Sequence, residues 1–217
     1  GVRCIMAPRH TWEANLRYIV SAMANAKQGV FMTQAFGVNK DWFGPVLERQ
    51  LSFDIPRLLL LEDYGYPGSK ELVQRLENTP FCWVARGSAL IKNQVEGYTQ
   101  ENLTGCNEHV RYIHTKFMIV DPMTDNPKVI TGSANFSQAS AEKNDENTLV
   151  IEGNKRTADL YVVEFMRVFL HHEWRCRMDA AYKKKNGPYL YFEQCSDRRE
   201  LLKFEGQQQP KYGRRLT

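Results

Sequence analysis

"YIHTKFMIVDP", Tyr112–Pro122, places a histidine, a lysine and an aspartate in a run that otherwise has the apolar, β-branched composition of a buried strand. Alternate residues of a strand share a face. His114 and Lys116 are therefore predicted to point one way, and Thr115, Phe117, Ile119 and Asp121 the other. An imidazole with a reference pKa of about 6.5 is a base or nucleophile near neutrality. A fixed ammonium in the same small space suits an anionic reactant.

The segments downstream extend that chemistry. "KVITGSANFSQAS" begins as a strand and breaks at Gly132, which permits a tight turn. Ser133 and Asn135 then offer a hydroxyl and a carboxamide without adding charge. Neutral donors beside a lysine are what a phosphodiester needs, because its non-bridging oxygens gain negative charge as the pentavalent state forms. In "NDENTLVI", Glu146 opens another strand, and its carboxylate is placed to accept the second N–H of the histidine ring and fix the tautomer.

His114-x-Lys116-x4-Asp121, then Gly132-Ser133-Ala134-Asn135, then Glu146, resembles the signature of the phospholipase D superfamily, the HKD motif. "AFGVNK", "GSANFS" and "NDENTLVI" are similar to bacterial phospholipase-D-like domains, and the resemblance runs from about Val2 to Met178. It implies that His114 attacks phosphorus and becomes a phosphohistidine. Lys116, Ser133 and Asn135 would hold the phosphoryl oxygens, and Glu146 would orient the ring. Asp121, counted with His114, Lys116 and Glu146 in the catalytic signature, would support the strand rather than touch substrate. No cofactor and no metal are implied; lysine takes over the cation's electrostatic role. Ten residues separate Asp121 from Gly132, more than in many members. The extra length predicts a longer hairpin turn around Asp125-Asn126-Pro127 that alters access to the site.

Outward from this centre, strands and helices alternate. "VRCIM", "GVFMTQAF", "RLLLLE" and "FCWVA" read as strands. Thr11 is placed to cap a helix through Trp12, Leu16, Ile19, Val20 and Met23; Asp41–Gln50 reads as a second, and Gly68 and Ser69 precede a third that runs to about Leu76. Ser88–Gly105 is polar and irregular. A long amphipathic helix is predicted over about 156–185, with Leu160, Val163, Met166, Phe169 and Leu170 on its apolar side. The fold class is α/β: a mixed β-sheet flanked by helices on both faces, and the resemblance implies a phospholipase D-like fold. One domain with a single HKD motif is expected over residues 1–185. Residues 186–217 are expected to form a basic C-terminal extension, partly disordered.

Composition narrows the function. The 217 residues are 42% hydrophobic and 25% charged, which is globular rather than fibrous or disordered. Five widely spaced cysteines without a CxxC pair (Cys4, Cys82, Cys106, Cys176, Cys195) suggest reduced thiols rather than a disulfide framework or a zinc site. No apolar run is long enough for a transmembrane segment, and a cytoplasmic location is expected. The net charge of +4 is modest, but Lys183, Lys184, Lys185, Arg198, Arg199, Lys211, Arg214 and Arg215 gather in the last quarter, which suits a polyanion. His171 and His172, adjacent in "LHHEW", do not share a helix face and read as surface rather than metal ligands; Trp42, Trp83 and Trp174 read as core.

The expected activity is a metal-independent phosphodiesterase, with nucleic acid as the favoured partner and phospholipid, in a hydrolase or transphosphatidylase, as the alternative. A third reading is a non-catalytic, phosphate-binding half of a larger two-motif protein. The chain holds one HxK pair, whereas the family mechanism uses two histidines. The second is expected from a homodimer or from another HKD half on a longer polypeptide, and a chain beginning with Gly1 rather than methionine is compatible with either.

Overall fold

Among the described residues, short apolar runs separated by turn residues form a seven-stranded mixed sheet, and the helices come from segments with helical periodicity. The computed structural model describes residues 1–9, 13–39, 41–49, 54–64, 69–87 and 113–183. In chain order the elements are β1 (Val2–Ala7), α1 (Glu13–Ala24), β2 (Val30–Gln34), α2 (Gly44–Arg49), β3 (Arg57–Leu61) and α3 (Ser69–Glu77). There follow β4 (Cys82–Arg86), β5 (Phe117–Val120), β6 (Lys128–Gly132), α4 (Gln138–Glu142), β7 (Glu146–Glu152) and α5 (Lys155–Lys183). The strand order is β1-β7-β6-β5-β2-β3-β4. β2, β3 and β4 are parallel, as crossovers through α2 and α3 require, and the remaining neighbours pair antiparallel.

The chain divides into two compact units, residues 1–89 with 102–174, and residues 90–101 with 175–217. The whole sheet lies in the first. Of the second, residues 175–183 are described, as the end of α5.

Both sheet faces are covered in the first unit, as the alternation of strands and helices predicts. On one face Met32, Leu59, Leu61, Met118, Ile130 and Val150 pack with Leu16, Ile19 and Met23 of α1, Leu47 of α2 and Leu72, Val73 and Leu76 of α3. On the other, Leu60, Phe117, Ile119 and Val129 meet Ala158, Phe165 and Phe169 of α5. Phe165 stacks on Phe31 at 5.4 Å between ring centroids and meets Phe117 edge-on at 6.1 Å.

Several expectations are corrected. The buried stripe of α5 runs through Ala158, Tyr161, Val162, Phe165, Met166 and Phe169, while Leu160 and Val163 are exposed. The aromatics fix the helix rotation, since the Phe31 and Phe117 rings need Phe165 against them. Trp83 is also largely exposed, because β4 is an edge strand, and His172 is buried rather than on the surface. The short helix α4, capped by the Ser137 hydroxyl at Ser140 N–H, was not anticipated. The Thr11 cap, the polar segment 88–105, the start of the predicted strand at 110–112, the boundary at 185 and the basic extension lie outside the described residues.

Candidate active site

The hydrogen-bonded part of β5 starts at Phe117, so His114, Thr115 and Lys116 lead into the strand instead of lying within it. The ladder stops there because side chains take its place. The Thr33 hydroxyl accepts the Phe117 N–H at 3.1 Å, and the Thr131 hydroxyl donates to the Lys116 carbonyl at 3.4 Å. The predicted alternation nevertheless holds through the lead-in segment. Ile113 is buried with Phe117 and Ile119 on the α5 side, so His114 and Lys116 carry the parity of Met118 and Val120 on the opposite face.

Glu62, the residue after β3, anchors this segment. It is 7% exposed and its carboxylate accepts the Ile113 N–H at 2.6 Å, immediately before the histidine. A charge-assisted bond to backbone is stronger than a neutral one, so it fixes where the chain enters the site.

Partial desolvation of the ring and then the Lys116 ammonium push the His114 pKa below the ordinary histidine value, against the opposing charges of Glu146 and Glu62. The direction favours the neutral, nucleophilic ring. Burial also lowers the Lys116 pKa, and Glu146 opposes that shift. The Lys116 Nζ donates to the His114 carbonyl at 2.8 Å, which folds the ammonium back toward that residue.

The small-residue turn closes the other side. Gly132 ends β6 with φ of +151°, and a Cβ there would stand 2.2 Å from the Asn147 carbonyl oxygen, so no other residue fits without moving backbone. That close approach lets the Ser133 and Ala134 N–H groups share the Asn147 oxygen at 3.1 and 3.2 Å. The Ser133 hydroxyl accepts the Asn147 N–H at 3.0 Å, which leaves its own proton to donate. Asn135 is half-buried, and its Oδ1 is buried without a hydrogen-bond partner.

One expectation about a carboxylate needs revision. Glu146 opens β7 and accepts from Asn144 Nδ2 at 3.3 Å, and no hydrogen bond joins it to the His114 ring. It acts on His114 through its charge. Asp121, counted in the signature but expected to support the strand rather than touch substrate, sits at the far end of β5, about 16 Å from Lys116 at the usual strand rise. Its Oδ1 accepts the N–H groups of Lys27, Gln28 and Gly29 at 2.8, 2.6 and 3.2 Å. The long hairpin at Asp125-Asn126-Pro127 connects β5 to β6 at that same far end, and so does not alter access to His114.

His114, Lys116, Ser133, Asn135 and Glu146 thus gather where β2 and β3 end, β6 ends and β7 begins. Motif reading missed Glu62, the polar residue that closes the apolar run "RLLLLE". A lone polar residue ending a buried strand was the available signal.

Among the described residues, no helix is long and apolar enough to cross a membrane. Residues 80–169 match the family model described as cardiolipin synthase, PLD-like domain. The chain has no significant match among curated proteins. Among solved structures it resembles NucT from Helicobacter pylori, with 17% identity, a TM-score of 0.57, and coverage of 79% of this chain and 96% of that one. A phospholipase D family member, Nuc from Salmonella typhimurium, gives 19% identity, a TM-score of 0.51 and coverage of 79% and 95%. Phosphatidylserine synthase of Haemophilus influenzae gives 9% identity, a TM-score of 0.52 and coverage of 79% and 39%. These likenesses are of fold. The family model spans the His114–Lys116 segment, the small-residue turn and Glu146, so this part of the chain is similar to a PLD-like domain, and the sheet has the phospholipase D-like fold.

Proposed function

We propose that the chain is a metal-independent phosphodiesterase that cleaves nucleic acid through a phosphohistidine on His114. The observation that carries this reading is the convergence of His114, biased toward its neutral form, with the Lys116 ammonium and the Ser133 and Asn135 side chains at one sheet end. In the first step a ring nitrogen of His114 bonds to phosphorus and the bond to the leaving oxygen breaks, with that oxygen taking a proton from a second imidazole. In the second step water attacks phosphorus, the N–P bond breaks, and the second imidazole regains the proton. Lys116, Ser133 and Asn135 stabilise the charge on the non-bridging oxygens, and Glu146 favours the imidazolium form.

A second copy of His114 in a twofold homodimer supplies the second imidazole, since the chain has one HxK pair. Another HKD half on a longer polypeptide would do the same. The basic residues from Lys183 to Arg215 favour a polyanion as substrate. One observation favours phospholipid instead: the matching family model is described by cardiolipin synthase.

The deciding experiment incubates the protein in excess EDTA with labelled DNA, RNA and phospholipid vesicles, beside His114→Ala. Cleavage of nucleic acid that requires His114 supports the proposal. Headgroup release without nucleic-acid cleavage moves the assignment to lipid. Loss of all activity in EDTA, restored by magnesium, contradicts the metal-independent mechanism. For the shared site, coexpression of wild type with His114→Ala at varied ratios should give activity falling with the square of the wild-type fraction. A linear fall would mean that each subunit works alone.

A further inference from the structure

β2 is apolar until its last residue, where Val30-Phe31-Met32-Thr33 gives way to Gln34. Gln34 is 3% exposed, and its Oε1 is buried with no hydrogen-bond partner. A buried, unpaired amide oxygen is costly, and leucine or methionine would fill nearly the same volume without that cost. Its place in the sheet points to a use.

β2 and β5 pair antiparallel, with Thr33 opposite Phe117. The ladder ends at that pair, and Gln34 and Lys116 are the next residues along the two chains at the same end of the sheet. The faces agree as well: Val30 and Met32 of β2 and Met118 and Val120 of β5 share one core cluster, and Gln34 and Lys116 continue those two columns. Opposed and diagonal neighbours on adjacent strands stand about 5 to 8 Å apart, a span that a lysine side chain covers. Lys116 carries three N–H donors, and its bond to the His114 carbonyl occupies one.

We infer that Gln34 is a positioning residue for Lys116, its carboxamide oxygen holding the ammonium over the phosphoryl group when Lys116 engages substrate. To reach a phosphoryl oxygen, the Nζ must loosen its bond to the His114 carbonyl, and an uncharged acceptor in the next column holds it in place as it does. Neutrality matters here. A carboxylate at position 34 would anchor the ammonium equally well but would cancel the positive charge that the phosphate needs. Glutamine anchors and leaves the charge in full.

The inference rests on the phosphodiesterase reading for its catalytic consequence, but the contact has a readout independent of turnover. The charged groups facing Lys116 among the described residues are His114 on its own segment and Glu146 at the start of β7, with Glu62 beyond His114. β2 and β6 contribute Gln34, Gly132 and Ser133, none of which titrates in the working range. The test titrates the Lys116 ammonium by NMR in the full chain, its signal assigned by Lys116→Arg, in wild type, Gln34→Leu and Gln34→Glu. Gln34→Leu should lower the Lys116 midpoint by about half a pH unit, because an acceptor for the charged form is lost, and Gln34→Glu should raise it. Both variants should lose about tenfold in kcat with a smaller change in KM. Gln34→Leu should also unfold at a temperature equal to or above wild type, which a purely structural glutamine would not allow. If Gln34→Leu fails to fold, Gln34→Met and Gln34→Glu carry the same comparison. A Lys116 midpoint unmoved in the folded variants overturns the inference. A wild-type chain inactive on DNA, RNA and vesicles overturns the phosphodiesterase reading instead, and leaves the Lys116 titration as the test of the contact.

Discussion

The two ends of β5 are drawn from one short motif and satisfied in opposite ways. At the far end Asp121 has φ of +52°, a conformation that aspartate tolerates better than most residues, and its carboxylate takes three backbone N–H groups of the turn between α1 and β2. Its own N–H donates to the Gly29 carbonyl at 2.9 Å. At the near end His114 is exposed, its ring makes no hydrogen bond among the described residues, and buried oxygens of Gln34 and Asn135 have no partner. Groups held by the protein's own backbone build structure, while groups left under-satisfied at a strand end are available to a substrate. On the proposed function, HxKx4D joins a chemical half to an architectural half, and each half should fail in its own way.

The largest effect is expected at the near end. His114→Ala should lower turnover by about three orders of magnitude or more, with an unchanged urea unfolding midpoint; loss of the fold with the activity would erase the distinction between the two ends. At the far end, Asp121→Ala should cost about 2 kcal/mol of stability, because three N–H groups lose a charged acceptor. Its turnover per folded molecule should stay near wild type, and a fall comparable to that of His114→Ala would move Asp121 into the chemistry.

Between these lies Glu62, which grips the backbone next to His114 without sharing its face. Glu62→Gln keeps an acceptor for the Ile113 N–H but removes the charge, and should reduce kcat about tenfold. An unaffected rate would limit Glu62 to core packing. The smallest effect is a shift in the pH profile. Since the His114 pKa is lowered, the neutral nucleophile persists below the ordinary value, and the acid limb of kcat/KM should fall below about pH 6.5. Glu146→Gln removes a charge that opposes the lowering, so it should move the limb further down. An upward move would reverse the sign assigned to Glu146.

The sheet was legible because strand runs such as "RLLLL" and "KVITG" are bounded by turn residues, and the motif spacing brought His114, Lys116, Ser133, Asn135 and Glu146 to one sheet end. Other features depended on contacts that sequence periodicity does not encode. The rotation of α5 was set by ring packing of Phe165 on Phe31 and Phe117, which exposed Leu160 and Val163. The start of β5 was set by the hydroxyls of Thr33 and Thr131, far away in sequence. Glu62 became visible once the fold brought it to the Ile113 N–H, and Gln34 once β2 was seen to end beside the Lys116 segment.

The most direct test of the central claim is to quench the wild-type reaction during turnover of a phosphorus-labelled substrate and locate the covalent label. A phosphohistidine at His114, acid-labile and base-stable and absent from His114→Ala, is the predicted result. Label on a serine, or steady turnover with no label on His114, would contradict the assignment of His114 as nucleophile.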